Sequence, residues 1–265
     1  MAAKTGRPVI AAQLYTLREF MKTPEDMART LKRVRQMGYE AAQISGVGPI
    51  APAELRRLML AAGVEPVGAH VGLDAFRADV RKVIADCRAW GVGYVAVPWM
   101  SPKDLSTLQD WKRLCKELDG YARILRKAGI VLQYHNHMFE FEKLGVRKGK
   151  GGTTILDLLY RQTKLLQAEL DIGWVVRGGQ DPVAWIAKLA GRIDQVHLKD
   201  WGVINNEPAW RAIGEGGIGW PQVFKACRRA GTRYFIVEQD SCPVTGDPFL
   251  SLKISRQNIR AMGLG

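Results

Sequence analysis

Residues 39–71 read YEAAQISGVGPIAPAELRRLMLAAGVEPVGAHV, and this stretch decides the fold. A β-rich run at 39–45 is followed by an amphipathic run at 52–62, which begins at Pro52 and stops at Gly63, and a second β-rich run occupies 66–71. Proline in the first turn and glycine just past the last turn are typical of a helix. A strand, a helix and a second strand in this order predict two parallel strands joined by a right-handed crossover.

The same strand-helix unit recurs along the chain. Eight strands are predicted, at residues 9–15, 39–45, 66–71, 94–99, 130–141, 165–173, 193–200 and 234–238. Each is followed by a helical stretch, and eight such units in 265 residues match the size of one (β/α)8 TIM barrel. An open, doubly wound sheet is the alternative, but no GxGxxG motif follows the first strand. The sequence therefore predicts an α/β protein whose single TIM-barrel domain spans residues 1–265.

Composition and charge narrow the classes of protein to which the chain can belong. No apolar run approaches the roughly 20 residues of a membrane helix, and the N-terminus lacks the pattern of a signal peptide. The 4 cysteines form no CxxC pair, which indicates reduced thiols. The 39 basic and 26 acidic residues give a net charge of +13, but the basic residues are spread over predicted helix surfaces. We predict a cytoplasmic protein with no membrane partner.

Polar side chains share one face of several predicted strands. Alternate side chains of a barrel strand point into the barrel. The inward set comprises Gln13, His70, Gln133, His135, His137, Glu169, Asp171, Gln195, His197, Lys199 and Glu238. Many of these groups lie late in their strands, at the end of the barrel where catalytic groups collect. We expect several strand ends to converge on one polar site.

Two acids and a histidine in this set point to a bound cation. Asp171, His197 and Glu238 lie at the ends of three neighbouring strands. Gathering two carboxylates inside a barrel is unfavourable unless a positive charge compensates them. Oxygen and imidazole ligands suit manganese, magnesium, cobalt or zinc. We therefore predict one divalent cation at this end of the barrel, with manganese as the first choice.

Aromatic residues near the strand ends suggest a carbohydrate pocket. Trp99, Trp174 and Trp201 are placed to stack on a sugar ring, although packing at the barrel rim is the alternative for each. Together with Gln13 and His70 they form our predicted set of substrate-binding residues. The segment 202–219 is long enough to be a lid or a contact between subunits.

Four strand ends resemble the motifs of a known family. They are YHNHMFEF at 134–141, ELDIGW at 169–174, VHLKD at 196–200 and VEQD at 237–240. In this order the segments are similar to those of the sugar phosphate isomerase/epimerase family, within the xylose isomerase-like barrel superfamily. That superfamily also includes ketose 3-epimerases, inosose dehydratases and eliminases of 3-keto-glycosides. The resemblance runs nearly end to end and implies a metal-dependent enzyme.

The resemblance implies one divalent cation held by side chains from four consecutive strands. Carried over by position, three of the ligands are Asp171, His197 and Glu238. Epimerases of the superfamily place a glutamate two residues before an asparagine in the fifth strand, whereas here His135 directly precedes Asn136. The nearest acids come later. We predict Glu140 as the fourth ligand, and Glu142 is the alternative if the strand continues unbroken.

The resemblance also implies chemistry beside a sugar carbonyl. A base removes a proton from the adjacent carbon, and the cation stabilises the enediolate that forms. We expect His137 to move the proton with help from Glu238, with His135 as the alternative base. Lys199 is expected to polarise the carbonyl or bind a hydroxyl, and a salt bridge to Glu169 or Glu238 is its alternative role. An enzyme that returns the proton to the substrate is an isomerase or epimerase, which is our first interpretation. An enzyme that expels a β-substituent instead is a dehydratase or another lyase.

Two other classes of protein fit this sequence less well. Apurinic endonucleases of the same superfamily act on DNA, but they use a multi-zinc cluster with more histidines than the 4 present here. A non-catalytic sugar-binding protein would not need a complete ligand set. We therefore predict a small-molecule carbohydrate partner rather than nucleic acid, with the presence of a phosphate left open. A homo-oligomer is compatible with this kind of barrel.

Overall fold

Eight parallel strands close into a barrel in the computed structural model, which describes residues 7–101, 105, 107–144 and 153–264. The barrel strands are β1 (Val9–Gln13), β2 (Ala41–Ile44), β3 (Glu65–His70), β4 (Tyr94–Val97), β5 (Val131–His135), β8 (Gln167–Asp171), β9 (Gln195–Leu198) and β12 (Tyr234–Val237). β1 closes the barrel because it pairs with β2 on one side and with β12 on the other. The predicted single (β/α)8 barrel is therefore confirmed.

Helices follow the strands and cover the outside of the barrel. They are α1 (Pro24–Gln36), α2 (Pro52–Ala61), α3 (Leu73–Trp90), α4 (Leu108–Lys127), α5 (Ile155–Gln162), α6 (Ile172–Arg177), α7 (Pro182–Lys188), α8 (Trp220–Ala230) and α9 (Pro248–Ala261). The capping chemistry read from the sequence is present: the Thr23 side chain accepts a hydrogen bond from Asp26 N at 3.2 Å, and proline opens α1. In the described ranges, no helix combines the length and apolar character that a membrane span needs.

The inside of the barrel is polar towards the carboxyl ends of the strands and apolar at the other end, where Ala11, Ala41 and Ile236 form a small cluster. The layer between strands and helices is apolar. Buried leucine, valine, isoleucine and aromatic side chains form one continuous cluster outside the strands. Gln13, Gln43 and Gln195 are fully buried inside the barrel. Glycine at position 68 makes room for them, because a Cβ there would lie 3.2 Å from Gln195 Oε1 and 3.3 Å from Gln43 Nε2. The inward polar positions in the sequence thus fill the barrel interior.

Several predicted strand boundaries extend too far. The fifth strand was expected at 130–141, but β5 ends at His135 and a 3-10 turn follows at Phe139–Phe141. The sixth was expected at 165–173, but α6 begins at Ile172 because the Asp171 side chain caps it. After β5 the polar alternation continues to His137, so the sequence alone does not mark where that strand stops.

The segment 202–219, expected to be a loop, contains most of an antiparallel hairpin. Strand β10 (Asp200–Ile204) pairs with β11 (Glu207–Arg211), and Asn205 and Asn206 make the turn with φ angles of 51° and 64°. Asparagine tolerates this left-handed conformation and favours tight hairpin turns. A second, shorter hairpin pairs β6 (Lys143–Leu144) with β7 (Thr153–Thr154).

Asp200 anchors the longer hairpin to the barrel. Its buried carboxylate accepts hydrogen bonds from five donors, which are Trp201 N, Gly214 N, Gly216 N, Ile218 N and Trp220 Nε1. Glycine is required at position 216, because a Cβ there would lie 2.2 Å from Asp200 Oδ1. This single side chain therefore fixes the chain that returns from the hairpin to α8.

We expect Asp200→Asn to lower the free energy of unfolding by about 3 kcal/mol, because an amide group would turn a donor toward several backbone donors. Urea unfolding measures this loss. The matched control is Asp181→Asn at the exposed cap of α7, where asparagine caps as well as aspartate and the change should stay below about 0.5 kcal/mol. Equal losses in the two variants would contradict the anchoring role of Asp200.

Candidate active site

Four side chains from neighbouring barrel strands meet at the carboxyl end of the barrel. They are His135 from β5, Asp171 from β8, His197 from β9 and Glu238 directly after β12, and one ligand atom from each lies within 4.8 Å of the others. All four side chains are buried. His197 Nδ1 lies 2.7 Å from Glu238 Oε2, and His135 Nε2 lies 3.7 Å from Asp171 Oδ2. We call these four side chains, which are candidate ligands of a metal ion, the metal cluster.

Local structure around Asp171 leaves one of its oxygens without a hydrogen bond. Asp171 Oδ1 accepts from Trp174 N at 2.9 Å, which caps α6, and the Asp171 backbone donates to Asn136 Oδ1 at 3.0 Å. Asp171 Oδ2 is buried and forms an ion pair with Lys199 Nζ at 3.3 Å, but it accepts no hydrogen bond of good geometry. A buried carboxylate oxygen that accepts no hydrogen bond, beside imidazole nitrogens, suits a metal ligand. The residues present therefore fit a divalent cation.

A second group of ligand-type side chains lies against the metal cluster. Glu169 is fully buried, and its Oε2 lies 2.6 Å from His70 Nε2 and 3.2 Å from both His135 Nδ1 and His197 Nε2. Gln43 Nε2 donates to the other oxygen of Glu169. His135 and His197 therefore each present one ring nitrogen to Glu169 and the other to the metal cluster.

Lys199 is a buried ammonium among three acids. Its Nζ lies 3.2 Å from Glu238 Oε2, 3.3 Å from Asp171 Oδ2 and 2.9 Å from Asp240 Oδ2. The predicted alternative role of Lys199, a salt bridge to Glu238, is thus confirmed. These acids raise the pKa of Lys199 despite its burial, so the side chain stays charged.

Burial and neighbouring charges separate the pKa values of the site. Burial raises the pKa of Asp171 to about 7. Burial alone would lower the pKa of His197, but the carboxylates of Glu169 and Glu238 outweigh it and raise that pKa to about 10. Burial, and then the charge of Lys199, lowers the pKa of His137 to about 3. The site therefore combines a neutral imidazole at His137 with a strongly paired imidazole at His197.

A cavity of about 280 Å³ opens above the metal cluster. It is lined by Tyr15, Ser45, His70, Pro98, Trp99, His135, His137, Lys199, Glu238 and Asp240. Trp99 lies at its rim with 53% of its surface exposed. His137 lines the cavity, and its buried Nδ1 has no hydrogen-bond partner. Of the groups expected at the strand ends, His70, Trp99, His135, His137, Lys199 and Glu238 therefore share one cavity, whereas Asp171 and His197 do not line it.

The predicted substrate-binding residues do not all line this cavity. His70 and Trp99 do, whereas Gln13 is fully buried and donates to Gln43 Oε1 at 2.6 Å. Trp174 packs beside the His137 ring, with centroids 5.2 Å apart. Trp201 lines a separate cavity of about 390 Å³, together with Trp210 and the hairpin. The structure thus places Gln13 below the site and Trp174 behind it.

Glu140, the predicted fourth ligand, is not brought to the metal cluster. Its buried carboxylate accepts from Tyr134 Oη at 2.7 Å and from His137 N at 2.8 Å, and burial raises its pKa to about 7. The reason is that β5 ends at His135, so Glu140 lies on the following turn rather than on an inward strand position. Glu142, the alternative, is exposed beyond the same turn. His135 completes the described group instead.

Sequence reasoning missed three side chains that shape the site. Glu169 had the inward position two residues before Asp171 but was considered only as a partner of Lys199. Gln43 has the matching position late in β2, and Asp240 directly follows the strand-end motif of Glu238. For Glu169 and Gln43, alternation with apolar neighbours was the available signal; Asp240 lies between Gln239 and Ser241 and had no such signal. Hydrogen bonding across strands, which sequence spacing does not reveal, gives them their places.

The fold and site define a (β/α)8 barrel with a buried histidine–carboxylate cluster able to hold a metal ion. The family model described as "Xylose isomerase-like TIM barrel" matches residues 31–260, and the chain belongs to this family. This confirms the resemblance carried by the strand-end motifs.

Known proteins similar to this chain are enzymes and barrels of the same family. An inosose dehydratase of Bacillus cereus (strain AH820) is 27% identical over 173 residues, which cover 59% of this chain and 56% of that protein. The chain therefore matches little more than half the length of this curated relative. A sugar phosphate isomerase/epimerase from Parabacteroides distasonis ATCC 8503 superposes with a TM-score of 0.82 at 23% identity, over 99% of this chain and 97% of that one.

A further solved structure shares the fold. A xylose isomerase-like TIM barrel protein from Mycobacterium smegmatis, in complex with magnesium, superposes with a TM-score of 0.71 at 15% identity, over 99% of this chain and 98% of that one. At this identity the likeness shows the fold alone.

We expect manganese to raise the unfolding temperature of the protein. A ligand that binds only the folded state adds about 2.7 kcal/mol of stability at a free concentration 100 times its Kd. Asp171→Asn should remove this stabilisation because it replaces a candidate carboxylate ligand. Glu140→Gln should keep it, since Glu140 bonds to Tyr134 and His137 instead. Thermal unfolding with and without manganese measures both, and loss of the effect in Glu140→Gln would restore Glu140 as a ligand.

Proposed function

We propose that this protein is a divalent-metal-dependent enzyme that removes a proton from the carbon beside a carbonyl of a small carbohydrate. The observation that carries this proposal is the metal cluster, in which Asp171 Oδ2 is paired only with Lys199, beneath a cavity that His137 and Lys199 line. Our first interpretation is a sugar isomerase or epimerase, which returns the proton to the substrate.

The proposed ligands are His135, Asp171, His197 and Glu238, with His135 in the place first expected for Glu140. Two imidazoles and two carboxylates suit manganese, zinc, cobalt or magnesium. A divalent cation bound there would stabilise negative charge on an oxygen of the substrate. The buried position of all four side chains keeps water from competing for the ligand atoms.

His137 is the proposed proton-transfer group. Its ring lines the cavity, stacks near the ring of Phe139 with an interplanar angle of 13°, and packs beside Trp174. The bond from His137 N to Glu140 Oε2 fixes the turn that presents this ring. Glu140 therefore supports the site by positioning His137, whose neutral ring has a buried Nδ1 with no hydrogen-bond partner.

Lys199 is the proposed binding group for a substrate oxygen. Its ammonium lines the cavity and is held between Asp171, Glu238 and Asp240. A fixed positive charge in a buried site stabilises oxygen that becomes negative during the reaction. Glu238, which also lines the cavity, is positioned to help move the proton, and the rim residue Trp99 offers a face for stacking on a sugar ring.

A dehydratase is the second candidate, and a specific observation favours it. The curated relative from Bacillus cereus is an inosose dehydratase. Both reactions begin when a base removes the proton beside the carbonyl. They differ afterwards, because an isomerase or epimerase returns a proton to carbon whereas a dehydratase expels a hydroxyl from the next carbon. The same His137, Lys199 and metal cluster serve either outcome.

We expect the manganese-loaded protein to exchange hydrogen for deuterium beside the carbonyl of its substrate in deuterated water. Ketoses, an inosose and 3-keto-glycosides form the panel, and proton NMR spectra are taken after the protein is removed. Deuterium in an intact carbon skeleton identifies an isomerase or epimerase, and loss of water or of an aglycone identifies a lyase. Absence of exchange across the panel, in protein that binds manganese, would contradict the proposal.

We expect His137→Gln to slow this exchange by about 100–10,000-fold, the usual range for loss of a general acid–base group. Manganese affinity should remain close to that of the wild type, because His137 lies outside the metal cluster. Isothermal titration calorimetry measures the affinity separately from turnover. Exchange at the wild-type rate in this variant would exclude His137 as the proton-transfer group.

A further inference from the structure

Two of the metal ligands are imidazoles, and each has two nitrogens that can face a cation. We infer that Glu169 is a positioning residue that decides which nitrogen His135 and His197 turn toward the metal cluster. The inference rests on the proposed function, because it concerns the same site. It assigns His197 Nδ1 and His135 Nε2 as the ligand atoms.

The orientation of the Gln43 amide comes first in the chain of hydrogen bonds. A carboxylate oxygen only accepts hydrogen bonds, so the Gln43 atom that meets Glu169 is the amide nitrogen. The other end of the amide is therefore the oxygen, which accepts from Gln13 Nε2 at 2.6 Å. Gln13 thus contributes to the site from below, by fixing the Gln43 amide.

The orientation of the Gln43 amide fixes the hydrogen on His197. His197 Nε2 lies 2.8 Å from Gln43 Oε1 and 3.2 Å from Glu169 Oε2, and both of these oxygens are acceptors. Nε2 must therefore carry a hydrogen. Nδ1 lies 2.7 Å from Glu238 Oε2, so with no cation bound it also carries a hydrogen. A cation held by Glu238 would displace the hydrogen on Nδ1, whereas the hydrogen on Nε2 would stay bonded to Gln43 Oε1.

The same carboxylate orients His135. His135 Nδ1 lies 3.2 Å from Glu169 Oε2, so Nδ1 carries the hydrogen and Nε2 faces Asp171. A carboxylate behind a ligand imidazole also makes its lone pair more basic. Because Glu169 is fully buried, water does not compete for these bonds. One side chain therefore prepares both imidazoles for a cation.

Glu169 also lies among ligand-type nitrogens of its own, from His70, His135 and His197. A cation in that group would have to displace the hydrogen that His197 Nε2 donates to Gln43 Oε1, an acceptor outside the group, whereas the acceptor that faces Nδ1 is Glu238, itself a proposed ligand. The hydrogen bonds therefore favour an orienting role for Glu169 over a second cation site.

Histidine NMR tests the inference directly, because the chain has 4 histidines. Protein with ¹⁵N-labelled histidine is loaded with ¹¹³Cd²⁺ alone. We expect cadmium coupling at Nδ1 of His197 and at Nε2 of His135, with a hydrogen on the opposite nitrogen of each ring. Coupling at the opposite nitrogens would overturn the inference. This measurement on the wild-type protein holds even if a variant folds poorly.

Glu169→Gln gives the second readout. We expect this variant to bind cadmium about 10–100-fold more weakly, the usual effect of removing a partner of a ligand histidine. Glu140→Gln is the matched control and should bind cadmium as the wild type does. Unchanged cadmium affinity in Glu169→Gln would overturn the orienting role. So would two bound cadmium ions per wild-type chain that fall to one in this variant. Either result would leave the proposed function standing. A wild-type protein that binds no divalent cation would overturn the proposed function and this inference with it.

Discussion

The structure depends on how a barrel interior accommodates carboxylates that water does not reach. Glu169, Asp171 and Glu238 are buried at one end of the barrel. A buried carboxylate is strongly unfavourable unless donors or positive charges meet it. Gln43 and three imidazoles meet Glu169, whereas Lys199 meets Asp171 and Glu238. The need to neutralise and hydrogen-bond these buried carboxylates therefore explains why the inward positions of five barrel strands are polar.

Because of this requirement, the inward and outward side chains of each strand have different roles. Outward side chains of the strands join the continuous apolar cluster under the helices, which supplies the main stabilisation of the fold. Inward side chains form a hydrogen-bonded network in which the partners come from different strands. Such a network stabilises only when its members are satisfied, yet Gln133 Oε1 and Gln195 Oε1 inside the barrel, and Asp171 Oδ2 and His137 Nδ1 near the cavity, accept no hydrogen bond. Of these atoms, Asp171 Oδ2 lies in the group of side chains that could hold a cation.

Much of the fold could be predicted from the sequence, because strand-helix alternation and glycine stops depend on local chemistry. Alternation also identified the inward residues His135, Asp171, His197 and Glu238. The ends of the strands could not be predicted in the same way. The position of Glu140 depends on such an end: a hydrogen bond from His137 N to Glu140 fixes the turn after β5, and alternation carries no information about this turn. Contacts between strands, such as that of Gln43 with Glu169, depend on barrel register, which a single sequence does not specify.

The difference between Glu140 and His135 as ligand changes the charge of the proposed site. A set with Glu140 would have three carboxylates and one imidazole, and a bound divalent cation would leave that set with a net negative charge. Two carboxylates and two neutral imidazoles instead neutralise a divalent cation. The cation then keeps more of its attraction for a negative oxygen of the substrate, and Lys199 adds a further positive charge nearby. Glu169 lies behind both imidazoles and makes their lone pairs more basic through hydrogen bonds. This effect offsets part of the negative charge that a third carboxylate ligand would supply.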